Sequence, residues 1–151
     1  MKYIVHTDGG ARGNPGPAAV GVVIEEVAEG NPSTHFVRSG RAIEIGRRIG
    51  ETTNNVAEYT AVIEALRKLK SQITMTNDQQ KMEIQFFLDS KLVVEQLNGN
   101  FRVKDGKLRE LMMQVKILEQ EVGGVVTYTY VPREQNTRAD WLVNRALDGK
   151  D

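Results

Sequence analysis

The chain has 151 residues, with 20 basic and 20 acidic side chains, two histidines and no cysteine. This length suits one domain with a full hydrophobic core, so we predict a single domain over residues 1–151. Disulfides, thiolate zinc sites and cysteine nucleophiles are excluded, and balanced charge excludes a global attraction to nucleic acid. No apolar run reaches the roughly 18 residues of a membrane span, and the N-terminus lacks a signal-peptide pattern. We therefore expect a soluble, cytoplasmic protein with no membrane partner.

The first predicted strand leads into a carboxylate and then a turn. Tyr3, Ile4 and Val5 form a β-type run, and residues 7–17 read T-D-G-G-A-R-G-N-P-G-P. A glycine-rich turn after a strand suggests the Walker loop or the dinucleotide fingerprint. Neither applies, because Gly-Lys-Ser/Thr is absent and residues 18–24 are β-type where both motifs need a helix. By itself the stretch indicates a hairpin turn with a solvated aspartate.

The chain then continues through further strands into a helix. Apolar runs at 18–27 and 36–45 predict an antiparallel meander with the first strand. Residues 46–53 are polar and indicate a loop. Asn54 and Asn55 are expected to cap the helix that follows, whose apolar residues recur at helical spacing.

A second strand ends in an aspartate. A polar connection at 71–80 precedes an apolar run at 82–88, which is followed by Asp89, and Ser90 can cap a short helix after it. The remaining elements are a basic connector at 100–107 that carries Arg102, Lys104 and Lys107, a helix at 108–118, a break at Gly123 and Gly124, a strand at 125–131 and a helix at 137–147. The order βββ-α-β-α-α-β-α predicts a three-layer α/β arrangement around a mixed sheet.

Four acids lie at the ends of predicted elements. Asp8 and Asp89 end strands, where ligand sites of α/β sheets gather. Glu58 follows Asn55 by three residues, and Asp140 follows Thr137 by three, so each acid can also complete a helix capping box. In combination, four acids without thiolates or a histidine cluster suit a hard oxygen-ligand site for Mg²⁺ or Mn²⁺.

Four stretches, in this order, resemble the type 1 ribonuclease H family. They are residues 7–17, T-T-N-N-V-A-E-Y at 52–59, F-L-D-S-K at 87–91 and V-P-R-E-Q-N-T-R-A-D at 131–140. The resemblance implies a ribonuclease H-like fold with a five-stranded mixed sheet of order 3-2-1-4-5, strand 2 antiparallel, flanked by about four helices. It also implies that two Mg²⁺ ions, with Mn²⁺ as a substitute, cut the RNA strand of RNA–DNA hybrids and leave 3′-hydroxyl and 5′-phosphate ends. The implied catalytic and metal-binding residues are Asp8, Glu58, Asp89 and Asp140.

The same resemblance implies a set of substrate contacts. The backbone at Gly9 and Gly10 and the side chains of Asn54 and Asn55 would read sugar and groove edges. Thr53 matches a residue that anchors a DNA-strand phosphate, and Asn14 matches one that lines the cleft. Asn14 can equally initiate an Asn-Pro turn, and the paired asparagines can cap a helix, so structural and binding roles both stay open.

The sequence departs from the family pattern in three places, one of which is Lys91, where some members have glutamine. Many members carry a histidine in the loop before the last aspartate, where this chain has P-R-E-Q-N at 132–136. Arg133 or Glu134 could assist in its place. The only histidines are His6 and His35, and a strand histidine such as His6 is more often packed than catalytic. Many members also carry a basic protrusion between the second and third helices. Residues 98–107 are too short to form it, and they resemble the corresponding segment of a compact subgroup of the family.

Other functions on this fold also use clustered acids. An integrase-like strand transferase or a Holliday-junction resolvase is one alternative, although neither matches the T-T-N-N-x-x-E element. A non-catalytic hybrid-binding module is a second alternative, and a purely structural α/β domain is a third. The favoured reading is a monomer that acts on an RNA–DNA hybrid and has no obligatory protein partner.

Overall fold

A computed structural model describes residues 1–28, 37–73 and 82–149 of the chain. Within these ranges lie β1 (Lys2–Ala11), β2 (Gly16–Ala28), β3 (Val37–Thr52), α1 (Asn54–Gln72), β4 (Glu83–Leu88), α2 (Lys91–Leu97), α3 (Gly106–Val122), β5 (Val125–Tyr130), a 3-10 turn (Arg133–Gln135) and α4 (Thr137–Leu147). The predicted order of elements is confirmed. Among the helices of these ranges, none combines the length and the apolarity needed to cross a membrane.

The five strands form one sheet in the order β3-β2-β1-β4-β5. The β2 strand is antiparallel to both of its neighbours, whereas β1, β4 and β5 are parallel. This topology confirms the predicted mixed sheet. In the β1–β4 register Thr7 lies opposite Leu88, so the residues that follow them, Asp8 and Asp89, emerge side by side at one edge of the sheet.

Helices cover both faces of the sheet and complete the three layers. On one face the helices α1, α2 and α3 share a large apolar core with the strands, in which Phe86 and Leu66 are completely buried. Burying one such side chain stabilises the folded state by about 1.5–3 kcal/mol, so this core contributes strongly to the stability of the fold. On the other face α4 packs through small clusters that include Ala139 with Val23, and Val143 with Ala19.

The prediction of a loop at 46–53 is wrong. The β3 strand continues to Thr52 and pairs with β2 along this length, with Gly16 opposite Thr52. The segment is polar because it belongs to an edge strand, where charged side chains are common. Arg47 forms an ion pair with Glu64 on α1, and Arg48 donates to the Ala146 carbonyl of α4 at 2.9 Å.

Several element boundaries also differ from prediction. The β1 strand includes the glycines as far as Ala11, and α1 runs to Gln72 into the predicted connection. The rest of that connection, at 74–80, lies outside the described residues, as does Phe36, the first residue of the predicted run at 36–45. The cap of α2 is confirmed, since the Ser90 hydroxyl accepts from the Val93 N–H.

Candidate active site

The two strand-end aspartates converge with Glu58 from α1. One carboxylate oxygen of each of Asp8, Glu58 and Asp89 lies within 4.8 Å of the other two. Asp140 lines the same cavity, which has a volume of about 390 Å³, and its charge acts on both Asp8 and Asp89. The structure thus brings the four predicted acids together, while their roles as metal ligands stay a prediction.

A close contact between strand and helix delivers Glu58. A Cβ added to Gly9 would lie 2.2 Å from the Ala57 carbonyl carbon and 2.5 Å from the Glu58 nitrogen. Only glycine therefore lets the backbone of β1 touch the backbone of α1 here. The Gly9 backbone also lowers the pKa of Glu58 in part, and Gly9 lines the cavity, so its substrate contact stays a prediction. Gly10 lines the cavity.

Asp140 reaches the site through a second close contact. Gly21 on β2 lies opposite Asp8 in the strand register, and a Cβ there would lie 2.1 Å from the Ala139 carbonyl oxygen. The α4 backbone therefore rests directly on β2, and the next residue, Asp140, is placed beside Asp8.

Both capping-box interpretations of the acids are wrong. The N-cap of α1 is Thr53, whose hydroxyl accepts from the Val56 N–H at 3.2 Å, so Glu58 lies in the second turn. The N-cap of α4 is Asn136, and the Asp140 N–H donates to the Asn136 carbonyl at 3.2 Å. Neither acid is needed to cap its helix.

Burial and mutual repulsion disfavour the ionised form of the cluster. Asp8 is 7% exposed, and burial, followed by the charge of Asp89, raises its pKa to about 7. Burial and the charges of Asp8 and Asp89 also raise the pKa of Glu58 well above its usual range. The pKa of Asp89 is raised by burial and lowered in part by Arg133 and by a hydrogen bond from Asn136. An oppositely charged ligand would relieve this repulsion.

The donor set fits a divalent metal ion. The Oε2 atom of Glu58 is buried and, among the described residues, has no hydrogen-bond partner. Native structures seldom leave such an atom without a partner or an ion. The converging donors are carboxylate oxygens, which are the ligands that Mg²⁺ and Mn²⁺ prefer.

Asn136 is a residue of the site that the sequence analysis missed. Asn136 is 1% exposed, its Nδ2 donates to the Thr7 carbonyl at 2.9 Å, and its side chain lowers the pKa of Asp89 in part. It therefore ties the end of β1 to the start of α4 and acts on the carboxylate that follows β4. The one sequence signal was an asparagine just before a helix, a preferred N-cap residue, yet its side chain makes no cap hydrogen bond.

Two predicted substrate residues, Asn54 on α1 and Asn14 in the β1–β2 turn, are linked by hydrogen bonds. The Asn54 Oδ1 accepts from the Ala11 N–H at 2.8 Å, and the Asn14 Oδ1 accepts from the Asn54 N–H at 3.0 Å. The backbone donors fix the orientation of both amides, so both amino groups are left without a partner within the described chain. The prediction that Asn54 or Asn55 caps α1 is wrong, and both line the cavity.

One of the two candidate assisting residues in the loop before α4 lines the cavity. Arg133 lines the cavity, whereas Glu134 is exposed and is not among the lining residues. His6 lines a separate cavity and stacks on Phe87, with ring centroids 5.2 Å apart. His35 lies outside the described residues.

Comparison with known proteins identifies the family. A family model described as reverse transcriptase-like matches residues 6–146. The structure of RNase H1 from the halophilic archaeon Halobacterium salinarum is similar, with a TM-score of 0.78, 36% identity and 99% coverage of both chains. LC11-RNase H1, isolated from compost by a metagenomic approach and crystallised with an RNA/DNA hybrid, gives a TM-score of 0.80 and 40% identity, with 97% of both chains covered.

Some curated relatives are much longer than this chain. A bifunctional protein of Mycobacterium tuberculosis is 40% identical over 151 residues, which covers 98% of this chain and 36% of that protein. The chain therefore spans about a third of the length of such relatives. A ribonuclease H of Paracidovorax citrulli matches almost end to end, at 33% identity over 97% of this chain and 95% of that protein. With sequence, topology and solved structures in agreement along nearly its whole length, the chain belongs to the type 1 ribonuclease H family of enzymes.

Proposed function

We propose that the chain is a metal-dependent endonuclease that hydrolyses the RNA strand of RNA–DNA hybrids and leaves 3′-hydroxyl and 5′-phosphate ends. The observation that carries this proposal is the set of four carboxylates that line one cavity, three of which converge within 4.8 Å, with a buried Glu58 oxygen that has no hydrogen-bond partner among the described residues. The hybrid bound in the LC11-RNase H1 crystal supports the choice of substrate. The proposed unit is a cytoplasmic monomer, one domain over residues 1–151, without an obligatory protein partner.

Asp8, Glu58, Asp89 and Asp140 would hold two Mg²⁺ ions, or Mn²⁺ in their place. Bound there, the ions would stabilise the negative charge that builds on the attacking and leaving oxygens of a phosphodiester. The carboxylates would hold the ions in place through their negative charge, and water would be the nucleophile. Arg133 and Asn136 favour the ionised form of Asp89, which is the form that binds metal.

The hydrogen-bonded side chains of Asn14 and Asn54 are suited to contacting the groove of a hybrid. The amino groups of Asn14 and Asn54, which have no partner in the described part of the chain, are donors, and the minor-groove edges of base pairs present acceptors. The 2′-hydroxyl, both donor and acceptor, distinguishes RNA from DNA, and Gly10 and Asn55 line the cavity where it would enter. Thr53 would anchor a phosphate of the DNA strand. We propose Arg133, which faces the site, as the assisting residue in place of the loop histidine.

A substrate panel tests the proposal. Labelled RNA–DNA hybrid, RNA duplex, DNA duplex, both single strands and a four-way DNA junction are incubated with Mg²⁺, Mn²⁺ or chelator. We expect internal cleavage of RNA in the hybrid alone, with either metal and not with chelator. Cleavage of the junction would favour a resolvase, and binding of the hybrid without cleavage would favour a non-catalytic module.

A further inference from the structure

The candidate active site must attract a polyanion although four carboxylates line it. Among the described residues that line the cavity, two are cationic, Arg12 and Arg133. Arg133 lies at the acidic end, where its charge acts on Asp89. Arg12 belongs to the turn after β1, and the cavity reaches it alongside Asn144 and Leu147 of α4.

Arg12 is held at the C-terminal end of α4. Its Nη1 lies 2.7 Å from the Asp148 carboxylate, and its Nη2 donates to the Asn144 side-chain oxygen at 3.4 Å and carbonyl at 3.5 Å. The negative end of the helix dipole also favours a cation here. Backbone contacts fix the base of the side chain, because the Arg12 N–H donates to the Pro17 carbonyl at 2.8 Å.

The Arg12–Asp148 pair can be exchanged for a pair with a phosphate. The side chains are 48% and 47% exposed, and an ion pair this open to water contributes little to stability. One carboxylate oxygen of Asp148 holds Nη1, and a phosphodiester oxygen can accept from a guanidinium in the same way. Asp148 thus pairs with the Arg12 guanidinium at the position where a substrate phosphate would bind.

We propose that Arg12 binds a backbone phosphate of the hybrid and that Asp148 is a displaceable counter-ion that weakens this binding. The inference rests on the proposed function. Asp148 follows Asp140 by eight residues, which is about 12 Å of helix, so Arg12 contacts a phosphate away from the one that is cut. Arg12 therefore contributes to affinity, and the chemical step does not depend on it.

Binding and steady-state kinetics test this role over a range of salt concentrations. Arg12→Ala should raise Kd and KM about fivefold at low salt with kcat unchanged, and it should reduce the slope of log Kd against log salt by about 1. Arg12→Lys should restore the salt slope and part of the affinity. Asp148→Asn should lower Kd about twofold to threefold at low salt, and this gain should shrink in the Arg12→Ala background because the arginine is then absent.

A second exposed ion pair provides matched controls. Lys70 on α1 and Glu121 on α3 form an ion pair, and neither lines the cavity. Lys70→Ala and Glu121→Gln make the same changes of net charge, and both should leave Kd near that of the unmodified chain. Methylphosphonate substitutions, placed one at a time in the RNA strand or the DNA strand, would show which phosphate Arg12 contacts. A hybrid in which that phosphate is neutral should bind the unmodified chain more weakly, whereas its affinity for Arg12→Ala should not change.

Failure of the inference is distinguishable from failure of the proposed function. If the unmodified chain neither binds nor cuts the hybrid, the proposed function is wrong. If it does both while Arg12→Ala and Lys70→Ala share one Kd and one salt slope, only the role of Arg12 is wrong. Should Arg12→Ala lower the melting temperature strongly, Arg12→Gln and Asp148→Asn carry the test, and an unchanged Kd in both would overturn the inference.

Discussion

Replacement of Asp8 by asparagine should stabilise the metal-free protein. Asp8 is buried beside Glu58, Asp89 and Asp140, and the surroundings raise its pKa from the ordinary value of 3.8 to about 7. A folded-state pKa above the unfolded-state value means that ionisation penalises folding. This penalty is absent below about pH 4, grows between pH 4 and 7, and is complete above pH 7.

The size of the effect follows from the shift in pKa. A rise of about three pH units corresponds to roughly 4 kcal/mol, at 1.36 kcal/mol for each unit. Asparagine removes the charge at nearly constant volume but still buries a polar amide. We therefore expect Asp8→Asn to raise the free energy of unfolding by about 1–3 kcal/mol at pH 8 in chelator, or the melting temperature by about 2–4 °C for each kcal/mol.

Urea and thermal unfolding at pH 4, 5.5, 7 and 8 in chelator measure this directly. The advantage of Asp8→Asn over the unmodified chain should be largest at pH 8 and should vanish near pH 4. Glu110→Gln, at an exposed position of α3, is the control for loss of one negative charge and should change little. A variant that is no more stable at pH 8, or whose advantage does not depend on pH, would refute the electrostatic cluster.

The remaining predictions concern the residues that build the site. Glu58→Gln should reduce Mg²⁺ affinity in calorimetry without lowering the melting temperature in chelator, because Glu58 does not cap its helix; a lower melting temperature would indicate a structural role. Asn136→Ala should cost about 1–3 kcal/mol, since the Thr7 carbonyl loses a buried donor, and it should also weaken Mg²⁺ binding; loss of stability with unchanged Mg²⁺ binding would limit Asn136 to a structural role. Gly9→Ala should be severely destabilising in thermal melts, because its Cβ would meet a backbone carbonyl of α1 at 2.2 Å, whereas Gly106→Ala, with no atom within 4 Å of the added Cβ, should be tolerated.

The order of elements was predictable from the sequence because apolar periodicity and turn residues mark it clearly. The presence of acids at strand ends was also visible, but the adjacency of Asp8 and Asp89 depended on a topology that only the family resemblance implied. The β3 strand was missed at 46–52 because edge strands are polar, and polar composition also marks loops. Local pattern cannot separate these cases without the partner strand.

Contacts between residues distant in sequence account for what the sequence could not predict. The role of Gly9 depends on the backbone of α1 lying against β1, and the role of Asn136 depends on a carbonyl 129 positions earlier. Capping boxes were possible for Glu58 and Asp140 from their spacing, but the N-cap of each helix is a different residue from the one assumed. Spacing alone fixed neither the caps nor the distances among the acids.

Cleavage of an RNA–DNA hybrid by the unmodified chain and by Asp89→Asn tests the central claim most directly. Both proteins are first shown to have matching circular dichroism spectra, and then each is given hybrid labelled at the 5′ end of its RNA strand, with Mg²⁺ or with chelator. We predict internal cleavage of the RNA, with 3′-hydroxyl and 5′-phosphate ends, only by the unmodified chain in Mg²⁺. Undiminished cleavage by Asp89→Asn, or equal cleavage in chelator, would contradict it.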